Sequence, residues 1–532
     1  MTSSRPRQQQ HQRTPSPPPD KDQQLWFYQS VMPLQYNLVE RIRVAFEENL
    51  PEQGLEIFDS VVFSGFSTPG EQPTPGLMPP PTFLRFVITL MAHPFHTTQL
   101  RKGMLPSKAP IAAYMLVHRI IKIIGPVNAS LDKIWVFDRG RRSVRRGNRE
   151  NRELSPSADD AISGELANEE SLFSRVEDVW DVVGWAFTCS VLHPARWTWW
   201  GNVLECLLLT LETDWDYRRE KYKNAGEKAE RVLRESIAVK MLPETRGTGG
   251  YRRVVRAILA NGSAKAQEFH PVWEDELFAH RPKKKGQRTL GGFMGEFGDD
   301  EETKTPKKTD KTLDENDDPL DEDDDIDIDM SDAPPTPSTY DSWGGVTAFS
   351  LRQRFLTLLS DLSTHGQFIA TEDLYLEYKN NISHLPLSSF SLFFNTLTPA
   401  GPDYRGLFTQ FILEQHLSTS RTRRDSALTQ DLLVRHYLPY PANTMALLDN
   451  AKVAVVLEAL MRLMLKCEYI VYTPELDAAV EAGIAARAKK AKTPARGKVP
   501  PEEVLATKLL WNVAEESLRM MVRMVKAKEV KA

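Results

Sequence analysis

Cysteine is nearly absent, with three thiols (Cys189, Cys206 and Cys467) in 532 residues. Three scattered cysteines form neither a disulfide framework nor a zinc-ligand spacing, so packing must hold the chain together. Long apolar runs are missing too. No stretch approaches the roughly 18 uncharged apolar residues of a membrane span, and the polar, proline-rich segment 1–24 lacks the apolar core of a secretory leader. A soluble intracellular protein with no membrane partner is expected. Alternating apolar runs joined by Asn-Gly or Asp-Gly turns are scarce, which argues against a β-rich fold.

Catalytic signatures are also wanting. There is no HExxH, no Gly-x-Ser-x-Gly elbow, no kinase set and no Cys/His nucleophile context. Gly247-Thr248-Gly249-Gly250 lacks the preceding strand and the Lys-Ser/Thr of a phosphate loop, and it reads as a turn. His93 and His96 flank Pro94-Phe95 without further ligands in register, and they read as a helix-end pair. No catalytic, cofactor-binding or metal-binding residue, no cofactor and no small-molecule substrate is therefore expected.

What is present is helical patterning. Hydrophobic residues make up 41% of the chain and aromatics 9%, enough for a core, while 36 prolines and 26% charged residues require segments outside it. Apolar side chains recur at spacings of three and four: Leu38, Ile42, Ala45 and Phe46, then Phe83, Phe86, Val87 and Leu90. A helix over 111–124 places Tyr114, Met115, His118, Ile121 and Ile124 on its apolar side and stops at Gly125-Pro126. Ser171 is the expected N-cap of a helix ending near His193-Pro194, and a second long helix over 196–217 completes an antiparallel hairpin. Weaker helices are expected at 229–241 and 251–260. Further helices follow at 349–362, 372–380, 388–397, 404–417, 427–438, 445–467, 475–490 and 501–528.

The expected fold is all-α, an irregular, solenoid-like helical array in two lobes. Residues 1–24 form a disordered tail and 25–280 an N-terminal lobe interrupted by an exposed Arg-rich insertion at 138–168. Residues 281–345 form a disordered linker, 346–472 a C-terminal lobe and 473–532 an Ala/Lys-rich helical tail. The helix pairs have repeat-like lengths, but no fixed repeat aligns.

Charge is strongly segregated. The net charge of -5 hides a tract over 299–332 with 17 acidic residues against four lysines, which leaves +8 on the remainder. Such a tract repels itself and buries little, so it is expected to stay unfolded while attracting basic partners or the chain's own arginines. Just before it, Arg281, Lys283, Lys284, Lys285 and Arg288 form a short basic run beside Pro282 and Gly286, the pattern of a nuclear-localisation signal. Arg139, Arg141, Arg142, Arg145, Arg146, Arg149 and Arg152 are candidate phosphate contacts, although only Trp135 and Phe137 lie near as stacking platforms. Thr305 and Thr493 each precede proline with a base two positions later, which makes them candidate phosphosites.

Two sets of residues are candidates for partner docking. Six of the 11 tryptophans fall within 171–217, and Trp180, Trp197 and Trp199 cannot all share the faces taken by Val179, Val183 and Trp200. In the last helix, Leu510, Val513, Leu518, Met521, Val522 and Val525 line a face that needs burial, in its own chain or in another. The expected function is that of a non-catalytic nuclear protein-protein interaction scaffold, or a subunit of a chromatin- or ribonucleoprotein-associated complex. One alternative is a nucleic-acid-associated factor using the Arg-rich loop and the basic C-terminus; the other is an enzyme of unrecognised type.

Overall fold

Periodicity at three and four becomes a mostly helical protein. The computed structural model describes residues 28–64, 75–99, 107–137, 161–223, 229–243, 248–263, 266–277, 340–366, 368–395, 402–417, 428–492 and 499–531. Its longer helices are α1 (Tyr36–Glu47), α2 (Pro51–Val62), α3 (Pro81–Ala92), α4 (Ala109–Ile123), α5 (Val179–Leu192), α6 (Pro194–Lys223) and α7 (Thr248–Ile258). After residue 339 come α8 (Gly345–Gly366), α9 (Thr371–Ile382), α10 (Leu387–Asn395), α11 (Pro402–His416), α12 (Leu447–Lys466), α13 (Pro474–Lys490) and α14 (Pro501–Lys531).

Two strands went unread in the sequence. β1 (Val31–Pro33) pairs in parallel with β2 (Gly76–Met78), Val31 opposite Gly76 and Pro33 opposite Met78. Three residues per strand are too few to display alternation, so no period-two signal exists to detect.

Several local expectations are corrected by particular contacts. The helix assigned to begin at Ser171 is broken: Leu172–Arg175 forms a short turn, and α5 starts afresh with Asp178 as N-cap, accepting from Trp180 N at 2.8 Å and Asp181 N at 3.1 Å. The 229–241 helix splits into Ala229–Arg234 and Ile237–Lys240, because buried Asp214 accepts from Ser236 Oγ and Ile237 N and so caps a new start. In α4 the inward face holds Ala113, Leu116, Val117 and Ile120, while Met115 and Ile111 face out. Of the face expected from the sequence, Ile121 and Ile124 are buried, Tyr114 and His118 are half-buried and Met115 is exposed, because the helix is turned so that a second apolar set at helical spacing packs against α3 and α6. Of the Arg-rich insertion, residues 161–168 form turns with Ile162 buried. The described residues resume at 340 with a short turn, Asp341–Trp343, whose tryptophan is buried.

Three helices are central. α3 is buried on nearly every side and carries α4 and α6; α5 and α6 form the expected hairpin at His193-Pro194. α12 is likewise enclosed, by α10, α11 and α14. The described residues all fall in one compact unit combining Met1–Phe278 with Ser338–Ala532, and one continuous hydrophobic core runs through it. The helices of 473–532 are part of that core: α14 lies along α12 and α13 packs on α14.

Candidate interaction surface

The joint between the earlier and later helices is built on two arginines of α8. Arg352 is wholly buried. Its Nη1 donates to Trp343 O at 2.7 Å, and its Nη2 donates to Ala260 O at 2.6 Å and Phe187 O at 3.2 Å. The guanidinium also lies 4.2 Å from the centre of the Phe187 ring. Among the described residues no carboxylate pairs with it; burial pulls its pKa down to about 9, and carbonyl dipoles stand in for part of its lost water. Gly344, at φ 79°, lets the chain pass Ser190, because a Cβ there would sit 2.3 Å from the serine hydroxyl. Two residues along α8, Arg354 grips two carboxylates of α6, Glu205 at 2.8 Å and Glu212 at 2.6 Å. These hydrogen bonds hold the Arg354 pKa far above its ordinary value despite partial burial.

The tryptophan-rich hairpin is organised around a second buried charge. Glu276 accepts from Trp185 Nε1 at 3.0 Å, Trp200 Nε1 at 2.6 Å, and Arg196 at 2.8 and 3.0 Å. Its other oxygen accepts from Val272 N at 3.0 Å. With its oxygens saturated by donors and its guanidinium tied to Ala92 O and Thr97, this network is a structural clasp that closes the 266–277 segment over α3 and α5. Of the three tryptophans proposed for docking, Trp180 is buried, with Nε1 donating to Met241 O at 3.0 Å. Trp197 and Trp199 are half-buried, and Trp197 stacks near Phe187. The sequence could not tell that the indole N–H groups of Trp185 and Trp200 converge on a carboxylate some 80 residues away.

α14 carries a coherent exposed apolar stripe. Its residues are strong helix formers between Pro501 and Lys531, with no internal Gly or Pro. One face is filled by its own chain: Trp511, Ala514, Leu518, Met521, Val522 and Val525 are buried. Glu515 accepts from the buried Arg487 of α13 at 3.4 Å, and Glu481 accepts from Arg519 at 2.8 Å. Thus the docking residues Leu518, Met521, Val522 and Val525 are satisfied in cis, and Leu510 is half-buried. Val513 alone of that set points outward, where it joins Leu505, Leu509, Met520 and Met524, each between 55% and 63% exposed. At about 100° per residue these five fall within about 100° of arc. The signal for them was in the sequence as a second apolar set at spacings of four, four, seven and four; choosing one face hid the other.

The remaining candidates lie elsewhere. Arg139, Arg141, Arg142, Arg145, Arg146, Arg149, Arg152, Arg281, Lys283, Lys284, Lys285, Arg288, Thr305 and Thr493 lie outside the described residues. Cys189 and Cys206 are buried, and burial pushes both thiols well above their ordinary pKa. His93 caps the end of α3, 6.0 Å from the His96 ring and 4.0 Å from Glu170. Among the described residues, no group of three or more His, Cys, Asp and Glu side chains is placed to hold a metal ion, and no helix is long and apolar enough to cross a membrane. No protein-family model matches the chain, and no curated protein matches it.

Proposed function

We propose that the protein is a non-catalytic nuclear interaction scaffold, or a subunit of a chromatin- or ribonucleoprotein-associated complex, and that it engages a protein partner through the outward face of α14. The carrying observation is the stripe Leu505, Leu509, Val513, Met520 and Met524, held open on a helix whose opposite face is anchored to the core. Isolated exposed apolar residues are ordinary, whereas several large ones aligned on one face of an anchored helix, here with Glu516 between Val513 and Met520, are a usual form of a protein-binding surface. In this reading the irregular, solenoid-like helical array supplies the frame: two lobes defined along the sequence, clasped at Arg352 and Arg354. Nuclear residence rests on the run Arg281, Lys283, Lys284, Lys285 and Arg288.

The test is purification of the tagged protein from nuclear extract, with and without nuclease, beside a Leu509→Glu/Met520→Glu variant. Partners that survive nuclease and are lost from the variant support the scaffold. Recovery that is identical for the two proteins removes α14 from the reading, and exclusively cytoplasmic residence removes the nuclear part. A second reading, direct phosphate contact, is favoured by the seven arginines between Arg139 and Arg152. It expects nucleic-acid binding that weakens steeply with salt and falls when Arg141, Arg142, Arg145 and Arg146 become Ala.

A further inference from the structure

The outward stripe of α14 has a symmetry of its own. Reading the helix forward from Leu505 and backward from Met524 gives the same order of large apolar side chains: Leu505 matches Met524 and Leu509 matches Met520. The midpoint falls between Ala514 and Glu515, with Val513 beside it. Charge follows the opposite rule. The first turn is acidic, at Glu502 and Glu503, and the last turns are basic, at Arg523, Lys526 and Lys528. A helix laid parallel to a copy of itself would set like charges together at both ends. Laid antiparallel, it sets Arg523 of one copy one turn from Glu502 of the other, twice over and within the facing arc, and opposes the two helix dipoles as well.

We propose that α14 pairs with α14 of a second copy of this chain, antiparallel and about a two-fold axis through the midpoint, burying Leu505 and Leu509 of each copy against Met524 and Met520 of the other. The stripe is about 28 Å long at 1.5 Å per residue, and it is self-complementary in both shape and charge, as a two-fold interface must be. Anchorage on the inner side keeps it straight: Arg519 and Glu515 are already engaged with Glu481 and Arg487 of the same chain. The side chains offered to the partner are thus those the fold leaves unused. Glu516, exposed and paired with Arg519 at 2.6 Å, lies in the same arc beside the partner's Val513, and its retained ion pair limits the pairing to a moderate strength. This inference rests on the reading of α14 as an interaction face and names its occupant.

The experiment uses the full chain in a Cys467→Ser background, since the other two thiols are buried. The mass seen in sedimentation equilibrium over a range of concentrations is expected to rise from 60.5 kDa toward twice that value, and Leu509→Glu/Met520→Glu is expected to stay at the monomer mass, with the unfolding temperature of the native chain when both are compared at concentrations where the native chain is monomeric. Under mild oxidation, a mixture of Leu505→Cys and Met524→Cys chains is expected to form a cross-linked dimer, while neither variant cross-links alone. A monomer at every concentration overturns the pairing, as does a dimer indifferent to the two glutamates. Cross-linking of Leu505→Cys to itself overturns the antiparallel arrangement. The two readings separate cleanly: a monomer whose nuclear partners still depend on Leu509 and Met520 ends the pairing and keeps the scaffold, whereas a dimer that captures nothing keeps the pairing and ends the scaffold.

Discussion

Lys452 is the most exposed to a simple test among single residues, though it is one of the least exposed to water. It sits in α12 with Nζ donating to Ser383 O at 2.6 Å and lying 5.2 Å from the Phe390 ring, and the charges of Asp449 and Glu503 offset its burial only in part. Burial pulls its pKa from 10.5 to about 8. The unfolded chain therefore holds this proton up to about pH 10.5 while the folded chain releases it near 8. Stability gains across that window as pH rises, and below it the penalty is complete, at about 3 kcal/mol. Replacing Lys452 with Met removes the penalty but leaves Ser383 O without its donor, at a cost of about 1 kcal/mol. Lys452→Met is expected to stabilise the protein by about 1–2 kcal/mol at pH 7, measured by denaturant unfolding, and to give no gain near pH 10.5. A loss of stability at pH 7 would mean that the ammonium is an asset to the fold. The buried histidine runs the same way. Burial lowers the pKa of His93 below 6.5, so its contribution is present above pH 6.5 and declines as acid protonates the unfolded chain. His93→Gln is expected to flatten the acid limb of the stability curve below pH 6.5, followed by thermal unfolding.

Individual elements differ in how much of them the sequence could reveal. α5 and α6 were legible because Leu204, Leu207, Leu208 and Leu211 recur regularly and Pro194 punctuates the hairpin. α12 was legible as a helix but not as an enclosed one: a single apolar stripe was read, yet Asn450, Lys452 and Glu458 on its other sides are buried too. Polar residues advertise exposure in a sequence, and only their partners across space reverse that. α14 illustrates the opposite case, in which two apolar faces compete and the neighbours decide. The asymmetry between them is measurable. Leu518→Ala, on the inner face, is expected to cost about 2–4 kcal/mol, whereas Met520→Ala is expected to cost less than about 0.5 kcal/mol in unfolding experiments. Gly483 gives a harsher result in α13. A Cβ there would lie 1.8 Å from Leu438 O, so Gly483→Ala is expected to push α13 off the π-helical turn at Leu433–Tyr437 and to lower the unfolding temperature markedly.

For the whole molecule, local patterning carried the all-α class but not the arrangement. Periodicity speaks of turns within a helix and says nothing of which helices meet after an interval of 60 residues or more. Arg352 and Arg354 are ordinary charged letters in α8, and nothing near them in sequence shows that one reaches the carbonyls of Phe187 and Ala260 and the other Glu205 and Glu212. The candidate surface was half legible for the same reason: Val513 was named, while its neighbours on the outward face waited on knowing where α12 lay. The shared core has an observable result. Cleavage at a protease site engineered into 281–339 is expected to leave two fragments that elute together in gel filtration. Arg352→Ala, which takes a donor from the carbonyls of Trp343 and Ala260 while Phe187 O keeps the Ser190 hydroxyl, is expected to destabilise the protein by about 3 kcal/mol and to loosen that association. Separate elution of the cleaved wild-type fragments would show that the joint adds little.

The guanidinium pin at Arg352 also orders events in time. While the chain is being synthesised, the carbonyl of Ala260 emerges from the ribosome long before the Arg352 guanidinium that donates to it, with the intervening acidic tract still to be translated. Until residue 352 follows, the face of the first half that packs on α8 stays bare, and a nascent chain stalled before that residue is expected to be cut by protease more readily than one stalled well beyond it.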